Sequence, residues 1–211
     1  MTKTLKSVRQ DAVSEMKREL ILEAARRVFE RESLEKASLR AIAKEAGYTP
    51  AALYFHFESK EEIYAELLGK GLDVLKDCIE RGVADAKGPE DAFKAAANSY
   101  FEFYLQNPKD LDLGFYLSGG GMSRKGVGRS RDNTLNAKLM DAILPVREAA
   151  RALGSSPKAA QEALAEFFAY ANGVLLLVHT GRIDLFGTKA DRLMKSFVSA
   201  QIEKITTGAN A

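Results

Sequence analysis

The apolar residues of the chain recur at helical spacing, and no segment alternates between apolar and polar residues as a half-buried strand does. One such stripe lies between Ser14 and Glu32 and consists of Leu20, Ile21, Ala24, Ala25, Val28 and Phe29. Leu, Ala, Glu and Lys, which favour helices, are abundant, and the 211 residues include only five Pro. The sequence therefore predicts an all-α fold with about nine helices.

Capping residues indicate where the N-terminal helices begin and end. Ser38 and Thr49 are candidate N-caps of two short helices, and Pro50 stands at the first helical position of the second. Gly47, between them, suits the left-handed position that follows a helix. The stretch "SKEE" at residues 59–62 matches the capping box that starts a longer helix.

Breaks at Gly, Pro and Asn divide the rest of the chain into helices. They are predicted at residues 89–106, 111–117, 134–153, 157–180 and 188–205. Residues 1 to about 13 are interpreted as a loose polar arm. We expect two domains: the arm with a three-helix unit at residues 1–60, and a larger helical body at residues 61–211.

The charges are distributed unevenly between these two parts. Residues 1–60 contain 12 Lys and Arg against 9 Asp and Glu, whereas residues 61–211 contain 19 against 20. A basic N-terminal part on a nearly neutral body favours an anionic partner there, although a solvated tail would produce the same imbalance. The single cysteine, Cys78, fits a reducing compartment, and the N-terminus lacks the apolar core of a secretory signal. We expect a cytoplasmic protein without a membrane contact.

The residues that enzymes use are poorly represented. The chain has two histidines, and neither belongs to a triad or to a metal-ligand spacing, so we expect no catalytic residue, no metal and no cofactor. The stretch "SGGGMSRKGVGRSRDN", residues 118–133, is rich in Gly but does not match a phosphate-binding loop. It is interpreted either as a solvated loop or as a basic flap over a cavity that holds an anion.

The stretch "SLRAIAKEAGYTPAALYFHF", residues 38–57, contains two short helices joined by a Gly-containing turn, which is the pattern of a helix-turn-helix. The second helix of this motif enters the DNA major groove with its N-terminal residues first. We assign to the groove Tyr48, Thr49, Pro50, Ala51 and Ala52. Leu53 and Phe57, four positions apart, are predicted to face the core.

Residues around these helices are candidates for phosphate contacts. The Tyr54 phenol and the His56 imidazole are able to donate to phosphate oxygens, and Lys60 adds a positive charge at the next helix start. Ser38 lies at a second helix N-terminus, where free amides attract anions. Arg40, one turn further, is within reach of a phosphate or a base.

At these residues the sequence resembles the TetR family of transcriptional regulators. The resemblance is carried by "ILEAARRVFERE" and by "ASLRAIAKEAGYTPAALYFHFESKEEIY". The residues that match the family pattern are Leu39, Arg40, Ile42, Ala43, Ala46, Gly47, Leu53, Tyr54, His56, Phe57, Lys60 and Glu61. The chain departs from the pattern at Tyr48, Thr49 and Ala51, on the turn that faces the groove, so it is expected to read a different operator.

The resemblance implies a homodimer that binds a palindromic operator in double-stranded DNA, with half-sites about one helical turn apart. It also implies a cavity in the C-terminal domain for an unidentified small-molecule effector that releases the DNA, and most such proteins are repressors. An alternative function is a helical adaptor that binds protein through the same motif.

Candidate effector and dimer contacts come from the helical body. A few polar groups among aromatic neighbours suit a small-molecule site, although aromatic residues at helical spacing are usually core. The candidate effector contacts are Asn98, Tyr100, Phe103, Tyr104, Phe115, Tyr116, Met122, Phe168, Asn172 and His179. The last two helices have broad apolar faces that suit a dimer interface. The candidate interface residues are Phe167, Ala171, Val174, Leu175, Val178, Met194, Phe197 and Val198.

Overall fold

The computed structural model describes residues 5–32, 34–115 and 126–208 of the chain. Nine α-helices and a short 3-10 helix (Ile183–Phe186) lie within these ranges, which contain no strand. The α-helices are α1 (Leu5–Arg31), α2 (Leu39–Glu45), α3 (Pro50–Tyr54), α4 (Lys60–Val83), α5 (Pro89–Gln106), α6 (Pro108–Phe115), α7 (Arg129–Ala152), α8 (Pro157–His179) and α9 (Ala190–Gly208). The predicted all-α fold is confirmed. None of the helices in the described ranges has the length and apolar character needed to cross a membrane.

Helix α1 begins at Leu5, so the loose arm predicted up to about residue 13 is wrong for the residues that the structure describes. Residues 9–17 are all exposed. An exposed helix buries no apolar stripe, and hydrophobic periodicity therefore gives no sign of it. Because this segment contains neither Pro nor Gly, helical propensity and the buried turns that follow are sufficient to continue the helix outward.

Helix α7 also begins early, at Arg129, within the segment that was predicted to be a Gly-rich loop up to residue 133. The Val127 amide donates to the Asp132 carboxylate at 2.9 Å, which ties the approaching chain to the first turn of α7. Gly128 precedes the helix with a φ of 106°. Residues 118–125 of the predicted loop lie outside the described residues.

The chain divides into two compact units. The first holds the described residues within 1–70 and 112–135, and the second holds those within 71–111 and 136–211. In the first unit the rings of Phe29 and Tyr64 meet edge to face with centroids 5.1 Å apart. The predicted functional division after residue 60 stays a prediction.

Helices α4 and α8 begin as their capping residues predict. The Glu62 amide donates to the Ser59 hydroxyl at 3.1 Å, although the Glu62 carboxylate accepts from the Glu58 amide and not from that of Ser59. The Ala159 amide donates to the Ser156 hydroxyl at 3.2 Å. Both helices thereby satisfy an amide that has no partner within the helix.

The core of the second unit is built largely from α5 and α8. The buried residues of α5 are Phe93, Ala96, Ala97, Tyr100, Phe101, Phe103 and Tyr104. Those of α8 are Ala160, Ala163, Leu164, Phe167, Ala171, Val174 and Leu175. Small residues on both helices alternate with aromatic residues, which allows the two helices to approach each other while the rings fill the remaining space.

Candidate functional site

A tight turn joins α2 to α3 in the first unit. The Tyr48 amide donates to the Ala43 carbonyl at 2.8 Å and the Gly47 amide to the Lys44 carbonyl at 3.2 Å, which together form a Schellman motif. Gly47 has a φ of 72°, a left-handed conformation that other residues adopt at a cost. The turn predicted at Gly47 is confirmed, and its hydrogen bonds fix the angle at which α3 leaves α2.

Side-chain caps define the starts of both short helices. The Ala41 amide donates to the Ser38 hydroxyl and the Ala52 amide to the Thr49 hydroxyl, each at 3.2 Å. Pro50 occupies the first position of α3, as predicted. Each hydroxyl acts as an acceptor in its cap, so its own hydrogen remains able to donate to a phosphate oxygen.

Helix α3 turns one face inward and leaves the other exposed. Leu53 is fully buried, and Phe57, just beyond the helix, is 1% exposed, which confirms that both face the core. On the opposite side Thr49, Pro50 and Ala51 are exposed, and Tyr48 and Ala52 are half-buried. Small side chains at the exposed N-terminal turn leave room for the backbone to approach base edges in a major groove.

The C-terminal end of α3 carries two exposed aromatic residues. Tyr54 is 58% exposed, as a residue that contacts phosphate has to be, and Phe55 is 89% exposed. Phe55 was not among the residues predicted to contact DNA. Its exposure was nonetheless predictable, since residues 54–57 all carry aromatic rings and a helix as short as α3 cannot turn all four toward one core. A ring this exposed in a folded protein is available to cover an apolar surface of a partner.

This geometry agrees with the comparisons with known proteins. The model of the family described as "Bacterial regulatory proteins, tetR family" matches residues 21–67, a segment that includes α2, the turn and α3. Residues 21–67 therefore carry the N-terminal segment of the TetR family of transcriptional regulators. Proteins of this family are regulators and not enzymes, which confirms the prediction that the chain is not an enzyme.

Individual curated relatives are similar to parts of this chain. YobS, an HTH-type transcriptional regulator of Bacillus subtilis, is 33% identical over 89 residues, which is 42% of this chain and 46% of YobS. BepR, an HTH-type transcriptional repressor of Brucella suis, is 43% identical over 53 residues, 25% of each chain. The chain thus spans less than half the length of these relatives.

Solved structures extend the similarity of fold over nearly the whole of this chain. A TetR family transcription regulator from Marinobacter aquaeolei superimposes with a TM-score of 0.67 at 18% identity. The match covers 92% of this chain and 97% of that one. At this identity the likeness establishes the fold alone.

Lys60 bonds to the turn before α2. Its ammonium group donates to the Glu35 carbonyl at 2.9 Å and to the Ala37 carbonyl at 3.0 Å. A phosphate would therefore have to compete with these two carbonyl groups for the Lys60 ammonium. The two hydrogen bonds stabilise the residues that precede the Ser38 cap. Arg40, by contrast, is exposed on α2.

Replacing Lys60 by Met is expected to lower the free energy of unfolding by about 1 kcal/mol, the usual net value of such hydrogen bonds, in urea denaturation. Lys44→Met, at an exposed position of α2, is the matched control and is expected to change the free energy of unfolding by less than about 0.5 kcal/mol. Equal effects of the two substitutions would show that the carbonyl contacts contribute nothing. Lys60 also contacts a phosphate if Lys60→Met reduces the salt dependence of DNA affinity by about one ion per subunit.

Arg18, on α1, was not among the predicted site residues and fixes the end of α3. Its guanidinium donates to the backbone carbonyl of His56 and to the carboxylate of Glu66, and lies 4.1 Å from the centroid of the Phe57 ring. A cation over a ring face adds to the burial of that ring. One side chain thus ties α1 to the connection between α3 and α4. His56 itself is half-buried.

Some of the predicted effector residues meet between α5 and α8 of the second unit. The Tyr100 ring centroid lies 5.0 Å from that of Tyr104 and 6.0 Å from that of Phe168. The Tyr100 hydroxyl donates to Asn172 Oδ1 at 2.9 Å, and His179 Nε2 lies 2.9 Å from the Tyr104 carbonyl oxygen. Burial raises the pKa of both tyrosine hydroxyls above the usual range, so both are neutral near pH 7.

The other predicted effector residues are more scattered. Phe103 is buried, and its ring lies against that of Tyr104. Asn98 is exposed on α5. Phe115 is 42% exposed and belongs to the first unit. Tyr116 and Met122 lie outside the described residues. The effector roles of all ten residues stay predictions.

Six of the eight residues predicted for the dimer interface are buried within the single chain. They are Phe167, Ala171, Val174, Leu175, Met194 and Val198. Val178 and Phe197 are half-buried, and the Phe197 ring stacks on that of Tyr170 with centroids 4.2 Å apart. The side of α8 that remains exposed carries Ala165, Ala169, Gly173 and Leu176. The interface itself stays a prediction, and these exposed residues are additional candidates for it.

Proposed function

We propose that the protein is a transcriptional repressor that binds a palindromic operator as a homodimer in the cytoplasm and releases it when a small molecule occupies the second unit. The observation that carries the proposal is the presentation of α3, with its N-terminal turn exposed and with Leu53 and Phe57 buried. The relative BepR is named a repressor, which supports repression over activation.

The exposed and half-buried residues of the motif divide by chemistry into two groups. Thr49, Pro50 and Ala51, with Tyr48 and Ala52 beside them, contact base edges, because the N-terminal residues of a recognition helix enter the groove. Polar and charged groups around them contact phosphates and fix the orientation of the protein on the duplex. These are Ser38, Arg40, Tyr54, His56 and Lys60.

The length of α3 supports a dimer. The helix has five residues and therefore extends about 7.5 Å, or roughly two base pairs of duplex. One copy reads too short a sequence to distinguish an operator from the rest of a genome. Two copies related by a two-fold axis double the sequence that is read and require a palindrome with half-sites about one helical turn apart.

The aromatic cluster between α5 and α8 is the proposed effector site. Its rings supply apolar surface, and the Tyr100 and Tyr104 hydroxyls with the Asn172 amide supply a few hydrogen-bonding groups, a composition typical of small-molecule sites. The Tyr100 hydroxyl already donates to Asn172 Oδ1, so the neutral Tyr104 hydroxyl is the candidate donor to an effector. The cluster therefore suits a largely apolar effector that carries a hydrogen-bond acceptor.

Selection of bound sequences from a random DNA duplex pool, at physiological salt, tests the proposal. We expect enrichment of a palindrome with half-sites about one helical turn apart, and an affinity for it that falls on the order of tenfold or more for each doubling of salt. Recovery of no common sequence and no salt-dependent binding would favour the adaptor, which uses the same motif to bind protein.

A further inference from the structure

An apolar pair stands exposed on the connection between α8 and α9. Leu185 is 80% exposed and Phe186 is 66% exposed, both on the 3-10 helix Ile183–Phe186. Asp184, also exposed, precedes them. We call the residues Asp184, Leu185 and Phe186 the knob. Two adjacent large apolar side chains at this exposure are a feature of surfaces that contact a partner.

The knob is built into a hydrogen-bonded frame. The Arg182 amide donates to the Leu177 carbonyl at 2.8 Å, and the Gly187 amide donates to the Asp184 carbonyl at 3.2 Å. Gly181 and Gly187, on either side, have φ values of 66° and 59° and take the left-handed conformation that the two tight turns require. The frame therefore presents the apolar pair in a defined orientation, which reduces the entropy lost when a partner covers it.

An open groove lies next to the knob on the exposed side of α9. Its volume is about 490 Å³, and it is lined by Lys189, Asp191, Arg192, Lys195, Ser196 and Ser199. Three of these residues are cations and one is an acid. The aliphatic stems of Lys and Arg offer apolar surface below their charged ends. The groove is therefore able to cover apolar side chains and to attract a carboxylate at the same time.

The knob and the groove are complementary to each other. The knob combines two apolar side chains with the carboxylate of Asp184, and the groove combines aliphatic walls with an excess of positive charge. Only Gly187 and Thr188 separate Phe186 from Lys189, so their Cα atoms lie no more than about 11 Å apart. A surface that carries both halves of a complementary pair side by side is what a two-fold contact between identical chains requires.

We propose that the knob of one copy inserts into the α9 groove of a second copy, and that the second copy reciprocates. The inference rests on the dimer of the proposed function and identifies a contact that sets its stability. Each dimer then contains the contact twice, so a substitution in the knob changes the free energy of dimerisation through two contacts.

The double variant Leu185→Ser with Phe186→Ser tests the contact by sedimentation equilibrium of the full chain. We expect the dimer dissociation constant to rise on the order of 100-fold, because buried apolar anchors dominate interface energies and the change occurs twice. Met140→Ser, at a position 41% exposed on α7, is the matched control and is expected to leave the dissociation constant unchanged. Circular dichroism is expected to show native helix content for both variants, since the replaced side chains are exposed.

A charge exchange tests whether the groove is the recipient. Asp184→Lys is expected to weaken the dimer at low salt, and its combination with Arg192→Asp and Lys195→Asp is expected to restore it. If the combination fails to restore a dimer that Asp184→Lys has weakened, the knob does not dock in this groove and the proposal is overturned.

Two other results are also decisive. A dimer unaffected by the loss of Leu185 and Phe186 overturns the knob contact and leaves the dimer of the proposed function intact. A wild-type chain that stays monomeric at every concentration overturns both. Selection of bound DNA sequences tests operator recognition separately, so a protein that dimerises through the knob but enriches no palindrome would contradict the proposed function alone.

Discussion

Replacing Phe57 by Ala is expected to lower the free energy of unfolding by about 3 to 5 kcal/mol, the usual cost of emptying a buried phenylalanine site. Phe57 is 1% exposed, and its ring lies 4.1 Å below the guanidinium of Arg18. The substitution removes the ring and its contact with that cation, and leaves a cavity where the end of α3 rests on the core. Urea denaturation followed by circular dichroism measures the change.

Phe55→Ala is the matched control, because it deletes the same side chain two positions earlier. Phe55 is 89% exposed, so its loss is expected to change the free energy of unfolding by less than about 0.5 kcal/mol. If Phe55 covers a sugar or a thymine methyl group in the complex, Phe55→Ala instead weakens DNA binding. Similar destabilisation by the two variants would contradict an orientation of α3 that buries Phe57 and exposes Phe55.

The contrast between these two phenylalanines shows how far sequence reasoning extends. Phe57 was predicted to be buried because it follows Leu53 by four positions, and helical geometry brings such residues to one face. Phe55 belongs to the opposite side, where nothing in a single sequence distinguishes a residue that contacts DNA from one that contacts only solvent. Hydrophobic periodicity predicts which residues are buried, whereas the function of an exposed residue depends on a partner molecule.

Local capping chemistry was predictable for a similar reason. Ser38, Gly47, Thr49 and Ser59 act on backbone groups within a few positions, so their types and spacing are sufficient to locate the helix ends. The contacts of Arg18 and Lys60 were not predictable. They join residues 38 and 25 positions apart, and only the tertiary fold brings these groups together.

The predicted dimer residues illustrate a further ambiguity. An apolar stripe indicates that a helix face is covered, but it does not indicate whether the same chain or a second chain covers it. Phe167 and Ala171 prove to be fully buried by their own chain. Leu185 and Phe186 lie outside any helical stripe, so hydrophobic periodicity does not single them out, although their exposure makes them stronger candidates for a contact between copies.

Introducing a carboxylate at the start of α3 is expected to have the largest effect on DNA binding. Ala51→Glu is expected to weaken operator affinity by at least about 100-fold, because like charges brought together in a binding interface cost several kcal/mol. Ala51 is exposed, and an acidic residue in the first turn of a helix interacts favourably with the helix dipole. The variant is therefore expected to keep its stability, so that a loss of binding reports on the interface itself.

Ala137→Glu supplies the matched control for Ala51→Glu. Ala137 is exposed on α7, in the second unit, and the substitution changes the net charge by the same amount. Fluorescence anisotropy with the selected operator is expected to show only a small loss for Ala137→Glu, which long-range repulsion explains and added salt removes. If the two variants lose affinity equally, the effect of Ala51→Glu comes from net charge alone. Helix α3 would then not lie in the groove, and the motif would have to bind its partner through another surface.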